Sequence, residues 1–212
     1  MSPAGLVTLY RKFEELTDAL VERFQTPIPQ APPFSRTCPP AHEDSQVFVT
    51  IRLQNYWGEF CLGLIDASSQ GGQETLSGRI LAPLYPEAST HETKREVRRI
   101  AKEVAATLAL PNPVWHSCGF IVNVARRLGL QNFNEIDFSL SPNLTATYAT
   151  HVRNFVVHPG PDSEPRFLQV AAHYGLPNSS PVDLLRSRQL GGTTLFEFWV
   201  RDLQGAARRA IQ

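Results

Sequence analysis

Hydrophobic residues recur every three or four positions along most of this chain, with charged and polar residues between them. Leu6, Leu9 and Phe13 begin the first such series, which continues at this spacing to Phe24. A period of 3.6 residues is typical of amphipathic helices, whereas strands alternate at every second residue. The pattern predicts helices over residues 4–25, 44–68, 91–110, 114–128, 141–158, 163–174 and 193–209, with a short helical turn over 182–187.

The segments between these helices are rich in proline and glycine. Prolines crowd the stretch from Pro27 to Pro40 and forbid regular structure there, so we expect an extended connector over residues 26–44. We expect it to lie across the domain as a long loop, although a proline-rich segment can also dock onto a partner. No run shows strand alternation, so residues 1–212 are expected to form one all-α domain, with accessory helices in 161–212.

The composition is that of an ordinary globular protein. Hydrophobic residues make up 42% and charged residues 19% of the 212 positions, which is enough apolar surface for a core. The formal net charge is zero, so no global field attracts nucleic acid, and an RNA site has to be a local patch. Nearly all basic residues are arginine, a bias that suits phosphate recognition but equally reflects genomic base composition.

Cysteine usage and the absence of long apolar runs bear on location. Cys38, Cys61 and Cys118 show neither a metal-binding spacing nor an even count for disulfides, which fits a reducing cytoplasm. The first residues lack the order of a signal peptide, and no stretch approaches the roughly 18 apolar residues that span a membrane. We therefore expect a soluble, cytoplasmic protein that has no membrane partner.

One predicted helix has a basic face that could hold RNA phosphates. The basic residues on this face are Lys94, Arg95, Arg98, Arg99 and Lys102. Three glutamates, at positions 92, 96 and 103, lie at spacings that allow ion pairs within the helix. These glutamates favour a solvated, salt-bridged surface over an RNA site.

Cys118 is a second candidate, because a cysteine beside His116 and Ser117 invites a nucleophile hypothesis. The cysteine lies in an apolar helical pattern, and the sequence fixes no partner that would lower its pKa. Buried free cysteine behaves as a small hydrophobic residue, so we expect Cys118 to be inert.

The strongest candidate site lies at the end of the helix predicted over 141–158. Asn154 and His158 are four residues apart and share a helix face, while Arg153 has a side chain long enough to reach the same place. These polar groups interrupt an apolar stripe and are costly to bury without a purpose. Either they satisfy one another structurally or they meet a phosphate. His151 is expected to point to a different side of the helix, outside the site.

The run Arg-Asn-Phe-Val-Val-His-Pro at 153–159 closely resembles the Arg-Asn-x-x-x-His motif, often followed by proline, of the HEPN superfamily of small helical ribonucleases and nucleotide-binding domains. The likeness is specific over about ten residues, and the aromatic helix around Trp57 and Phe60 is similar to that family in a looser way. The resemblance implies a HEPN-like helical bundle in which the motif helix pairs with its copy in a homodimer.

The resemblance also implies an activity: metal-independent endonucleolytic cleavage of RNA, without a cofactor. His158 would act on the 2′-hydroxyl or the leaving oxygen, Arg153 would stabilise charge on the phosphate, and Asn154 would orient them. An unrestrained ribonuclease kills its host, so we expect a toxin of a toxin–antitoxin system or an antiviral, phage-defence effector. An antitoxin or a sensor protein would be the additional partner.

Two other classes stay open. A non-catalytic HEPN domain would bind a nucleotide or a protein partner without cleaving RNA. A purely structural interaction protein would use Arg153 to hydrogen-bond helix ends and His158 to cap its own helix, where a partly charged imidazole is favourable.

Overall fold

The computed structural model describes residues 5–25, 40–141, 143–189 and 191–212. In these ranges the chain forms helices joined by turns and loops, with no β-strand, so the prediction of an all-α fold is confirmed there. In chain order the helices are α1 (Leu6–Gln25), α2 (Pro40–Gln70), α3 (Thr90–Thr107), α4 (Cys118–Leu128), α5 (Phe133–Leu140), α6 (Leu144–Val157), α7 (Glu164–His173), α8 (Pro181–Arg186) and α9 (Leu195–Ala210).

The second helix begins earlier than the sequence pattern predicts. The expected connector spans residues 26–44, but α2 begins at Pro40, so that expectation is wrong for 40–44. Asp44 and Ser45 lie inside the helix and do not begin it. Proline suits a first helical position, because the N–H that it lacks has no partner there in any case. The remainder of the expected connector, 26–39, lies outside the described residues.

Two further helix starts follow their capping side chains rather than the prolines. Ser117 accepts a hydrogen bond from the backbone of Phe120, so α4 begins at Cys118 and not at residue 114. Asn143 accepts one from Ala146 at 2.9 Å, so α6 begins at Leu144 rather than at 141. Pro142, in the first turn of the expected helix, lies outside the described residues. The sequence pattern does not predict helix α5 at all.

The core is built around α2 and α9. Helix α1 packs along α2, where Phe13, Trp57 and Phe60 form an aromatic cluster with ring centroids 5.1–5.8 Å apart. Helix α9 contacts α1, α2, α5, α6 and α8. Its predicted inward residues are all buried: Leu195, Phe196, Trp199 and Leu203. The pattern also predicts Leu108 to face inward, but it is 44% exposed, because α3 ends at Thr107.

The end of α2 is closed by a tight contact with the loop over 71–89. Gly71 is buried and has a φ of +65°, a conformation that L residues rarely adopt. A Cβ at this position would lie 2.1 Å from the backbone nitrogen of Pro83. Gly72 has the same φ but open space around it, and its N–H donates to Leu81 at 2.7 Å. The return of the loop therefore depends on glycine at position 71.

Helix α6 lies against α2, α7 and α9. Its predicted apolar stripe packs as expected: Val152 is fully buried, and Tyr148, Phe155 and Val156 are partly buried against the core. Phe155 stacks on Phe167 of α7 with ring centroids 4.5 Å apart, which fixes the two helices together. Among the helices that the structure describes, none is both long and apolar enough to cross a membrane.

Candidate functional site

The site is formed where α6 ends and the chain turns back into α7. His158 follows the last residue of α6, and its backbone N–H donates to the carbonyl of Asn154 at 2.8 Å. Pro159 and Gly160 follow, and the helix does not continue beyond Val157. The Ser163 hydroxyl donates to the His158 carbonyl at 2.6 Å. This bond ties the start of α7 to the end of α6, so the turn holds both helix ends in place.

A cavity of about 470 Å³ opens at this corner. Asn154 and His158, two of the three motif residues, line it together with the turn between the helices and with Arg166 of α7. The His158 side chain is exposed and makes no hydrogen bond to any residue that the structure describes. An imidazole with free ring nitrogens beside a cavity can exchange protons with a ligand at neutral pH.

Arg153 lies next to the cavity but does not line it. Its guanidinium is half-buried, and Nη1 donates to Oδ1 of Asn154 at 3.0 Å. Its Nε is buried and has no partner in the described part of the chain. A buried unpaired N–H of a charged group is unfavourable. Arg153 is therefore hydrogen-bonded to Asn154, and Asn154 in turn lines the same cavity as His158.

Sequence reasoning missed a histidine near Arg153. His116 lies in the loop before α4 and packs on Gly58 of α2, where a Cβ would be 3.7 Å from it. Burial, and then the positive charge of Arg153, lower the pKa of His116 below its usual value. An imidazole next to a guanidinium is therefore kept neutral. The loop from α3 folds across α2, a contact that no sequence spacing reveals.

The prediction that His151 points away from the site is wrong. His151 lines the same cavity as Asn154 and His158, because seven residues are almost two helical turns and return to the same face. Burial, and then the charge of Arg166, lower its pKa. The spacing of 151, 154 and 158 is a signal that could have found it. Arg166, on the following helix, has no such signal.

The other two candidates are not built as reactive sites. Cys118 is buried, and burial raises the pKa of its thiol to about 12, which keeps it protonated. On the basic face of α3, Arg98 pairs with Asp66 at 3.3 Å, and Arg99 pairs with Glu96 and Glu103. These ion pairs support the salt-bridged interpretation of that surface.

Comparison with known proteins gives no relative. No family model matches the chain, and neither the curated proteins nor the solved structures contain a match to it. The geometry of the site and the motif at 153–158 therefore carry the functional argument.

Proposed function

We propose that this protein is a metal-independent endoribonuclease of the HEPN type, with Arg153, Asn154 and His158 as its site residues. One observation carries the proposal: the free imidazole of His158 shares a cavity with Asn154, whose side chain is bonded to the Arg153 guanidinium. An acid–base group, an orienting amide and an oxyanion-binding cation are the parts that phosphodiester transfer needs.

The reaction uses the RNA itself as nucleophile. The 2′-hydroxyl attacks the adjacent phosphorus, forming the P–O2′ bond while the P–O5′ bond breaks. His158 takes the proton from the 2′-hydroxyl or supplies one to the leaving O5′, and a water molecule carries out the other transfer. An imidazole is suited to either transfer, and a guanidinium matches the charge that develops on the phosphate. The products are a 2′,3′-cyclic phosphate and a 5′-hydroxyl, and DNA is not cut.

A homodimer would complete the site. Arg153 does not line the cavity of its own chain, so the Arg153 of a second copy is a suitable source of the cation that stabilises the scissile phosphate. The face of α6 that carries the cavity residues also carries Leu144, which is 57% exposed, and the exposed Thr147. Positions 144, 147, 151, 154 and 158 repeat every three or four residues and form one helix face open to a partner helix.

Cleavage of total RNA in excess chelator tests the proposal. We expect the purified wild type to leave cyclic phosphate ends, and His158→Ala to lose about 10²- to 10⁴-fold in rate, the usual contribution of a general acid or base. His91→Ala, a matched change of an exposed histidine on α3, should cleave as the wild type does. Equal cleavage by His158→Ala, or cleavage that the chelator stops, would overturn the proposal.

Mixed subunits test the composite site. Arg153→Ala and His158→Ala should each be inactive alone, whereas a refolded mixture contains dimers with one intact arginine and one intact histidine from different chains. Recovery of activity in the mixture is expected. A mixture as inactive as its components would place both residues of each site in one chain.

The biological role follows from the activity. We propose a toxin or an antiviral defence effector, restrained by an antitoxin or a sensor protein. Expression of the wild type should stop growth, and Arg153→Ala should relieve this while circular dichroism shows an unchanged helical fold. If Arg153→Ala instead changes the melting temperature and leaves toxicity as it was, Arg153 has a structural role.

A further inference from the structure

The cavity holds polar side chains that the proposed reaction does not use. Arg166, on α7, is exposed, and its guanidinium makes no ion pair with any described residue. His151, on α6, is half-buried beside it. Both line the cavity that Asn154 and His158 also line. A cation and an imidazole from two different helices therefore line one open cavity.

His151 has the state of a neutral hydrogen-bonding group. Its Nδ1 is a buried atom with no hydrogen-bond partner among the described residues. The lowered pKa keeps the ring uncharged at neutral pH, so it carries a single N–H donor. A partly buried imidazole without a partner is typical of a site that awaits one.

We propose that this cavity is a phosphodiester-binding subsite for RNA, in which Arg166 binds the phosphate oxygens and His151 donates a hydrogen bond to the same nucleotide. The choice of RNA as ligand rests on the proposed ribonuclease function. The subsite holds the nucleotide next to the one that is cleaved, and so presents the neighbouring 2′-hydroxyl to His158.

Size and chemistry fit a nucleotide. A volume of about 470 Å³ lies in the range of roughly 300–1,000 Å³ that small-molecule sites occupy. Guanidinium groups recognise phosphate through paired N–H donors. Asp162, in the turn, is the acidic residue among those lining the cavity, and it opposes an anion. Removing the charge of Asp162 therefore tests whether the ligand is an anion.

Binding of a 2′-O-methyl RNA oligonucleotide, which cannot form the cyclic product, tests the subsite without cleavage. We expect Arg166→Ala to weaken binding by about 10- to 100-fold and to reduce the slope of log affinity against log salt by about one. Arg11→Ala, which removes an exposed arginine of α1 outside the cavity lining, should change neither quantity. Equal affinity and slope for Arg166→Ala and wild type overturn the proposal.

Two further variants test the remaining groups. Asp162→Asn should bind the oligonucleotide more tightly, because it removes a charge that repels phosphate. His151→Ala should weaken binding by about 2- to 10-fold, and His151→Gln should restore much of it, because an amide supplies an N–H donor. Unchanged binding by Asp162→Asn and by His151→Ala would show that the ligand lies elsewhere.

The outcomes separate this proposal from the ribonuclease. Binding that depends on Arg166, in a protein that never cleaves RNA, would keep the subsite and reject the enzyme. If cleavage depends on His158, but Arg166→Ala changes neither RNA affinity nor cleavage rate, the enzyme is kept and the subsite is rejected. Competition with adenosine monophosphate distinguishes the source of the phosphate: displacement at similar concentrations indicates a free nucleotide site. No measurable binding of either probe by the wild type rejects the subsite.

Discussion

The Arg153 side chain is held by a single described hydrogen bond, from Nη1 to Asn154. Its Nε is buried without a partner among the described residues, and His116 beside it is kept neutral. A guanidinium so weakly satisfied contributes little to stability, because burial of a charged group costs more than one hydrogen bond returns. Donors of the guanidinium thus stay unpaired among the described residues, as the proposed role of Arg153 in binding a phosphate requires.

Two histidines with lowered pKa values, His116 and His151, make the stability of the folded protein depend on pH. Burial lowers the pKa of His116 and of His151 below their usual 6.5, with the charges of Arg153 and Arg166 as the second cause. Below pH 6.5 the unfolded chain binds more protons at these sites than the folded chain does. The stabilisation is thus fully present above this pH and is lost as the pH falls through the lowered pKa values.

Urea unfolding at about pH 7.5 and about pH 5.5, on either side of the usual histidine pKa, measures this effect. We expect the midpoint to fall at the lower pH in the wild type, and the fall to be smaller in the double variant His116→Gln, His151→Gln. His91→Gln, on the exposed face of α3, should keep the wild-type pH dependence. A double variant that loses as much as the wild type would show that these imidazoles charge freely in the folded protein.

At the scale of the element, side-chain caps decide where helices begin. Ser89 and Glu92 form a capping box at α3, and Thr194 and Glu197 form another at α9. Burial raises the pKa of Glu197, but the hydrogen bonds, first those from Thr194, outweigh this effect, so the pKa is lowered overall. The same carboxylate accepts from Gln25, the last residue of α1, and so joins the two helices.

Thr194→Ala should therefore destabilise the protein by about 1 kcal/mol, the usual cost of losing an N-cap side chain. Thr194→Ser keeps the hydroxyl and should stay close to the wild type. Thermal unfolding of the three proteins gives the comparison. Ser89→Ala, at the exposed cap of α3, serves as a second measure of the same loss, away from the α1 contact. A Thr194→Ala protein as stable as Thr194→Ser would show that Glu197 is held by other bonds.

The sequence was informative for long helices and less so for their ends. The periodic series for α1, α3 and α9 predicted each helix and, apart from Leu108, its buried face, because each helix is long enough to repeat the pattern several times. Helix α5 has eight residues, too few for the period to stand out. The same limit holds for the site. The spacing along the helix predicted that Asn154 and His158 lie together. Tertiary contacts bring His116 close to Arg153 and Arg166 to the cavity, and no local sequence pattern predicts such contacts.

At the scale of the whole molecule, α6 packs against α2, α7 and α9, and another face of it carries Leu144 and Thr147, which are exposed in the described part of the chain. Periodicity shows which positions on a helix are apolar, but not which neighbour covers them. This second face of α6 carries Leu144 at one end and the site at the other. Phe138, in the last turn of the preceding helix α5, is 75% exposed. Exposed apolar residues of this size mark an association surface when they lie together.

For the homodimer proposed above, Leu144→Asp should favour monomers and lower RNA cleavage by at least about tenfold, because it places a charge in the proposed interface. Ile80→Asp, at a residue that is 68% exposed on the loop after α2, is the matched control and should leave both unchanged. Sedimentation equilibrium and the cleavage assay supply the two readouts. A Leu144→Asp protein that is still dimeric and active would show that this face of α6 is not the dimer interface.

Gly71 and Gly72, at the end of α2, are expected to differ in the substitutions that they tolerate. Both have a φ of +65°, yet only Gly71 faces the backbone of Ala82 and Pro83. In a saturation library screened for folded protein, position 71 should return glycine alone. Position 72 should also accept asparagine and aspartate, which tolerate left-handed backbone. Over evolutionary time, this corner of the chain would drift at one glycine while its neighbour stayed fixed.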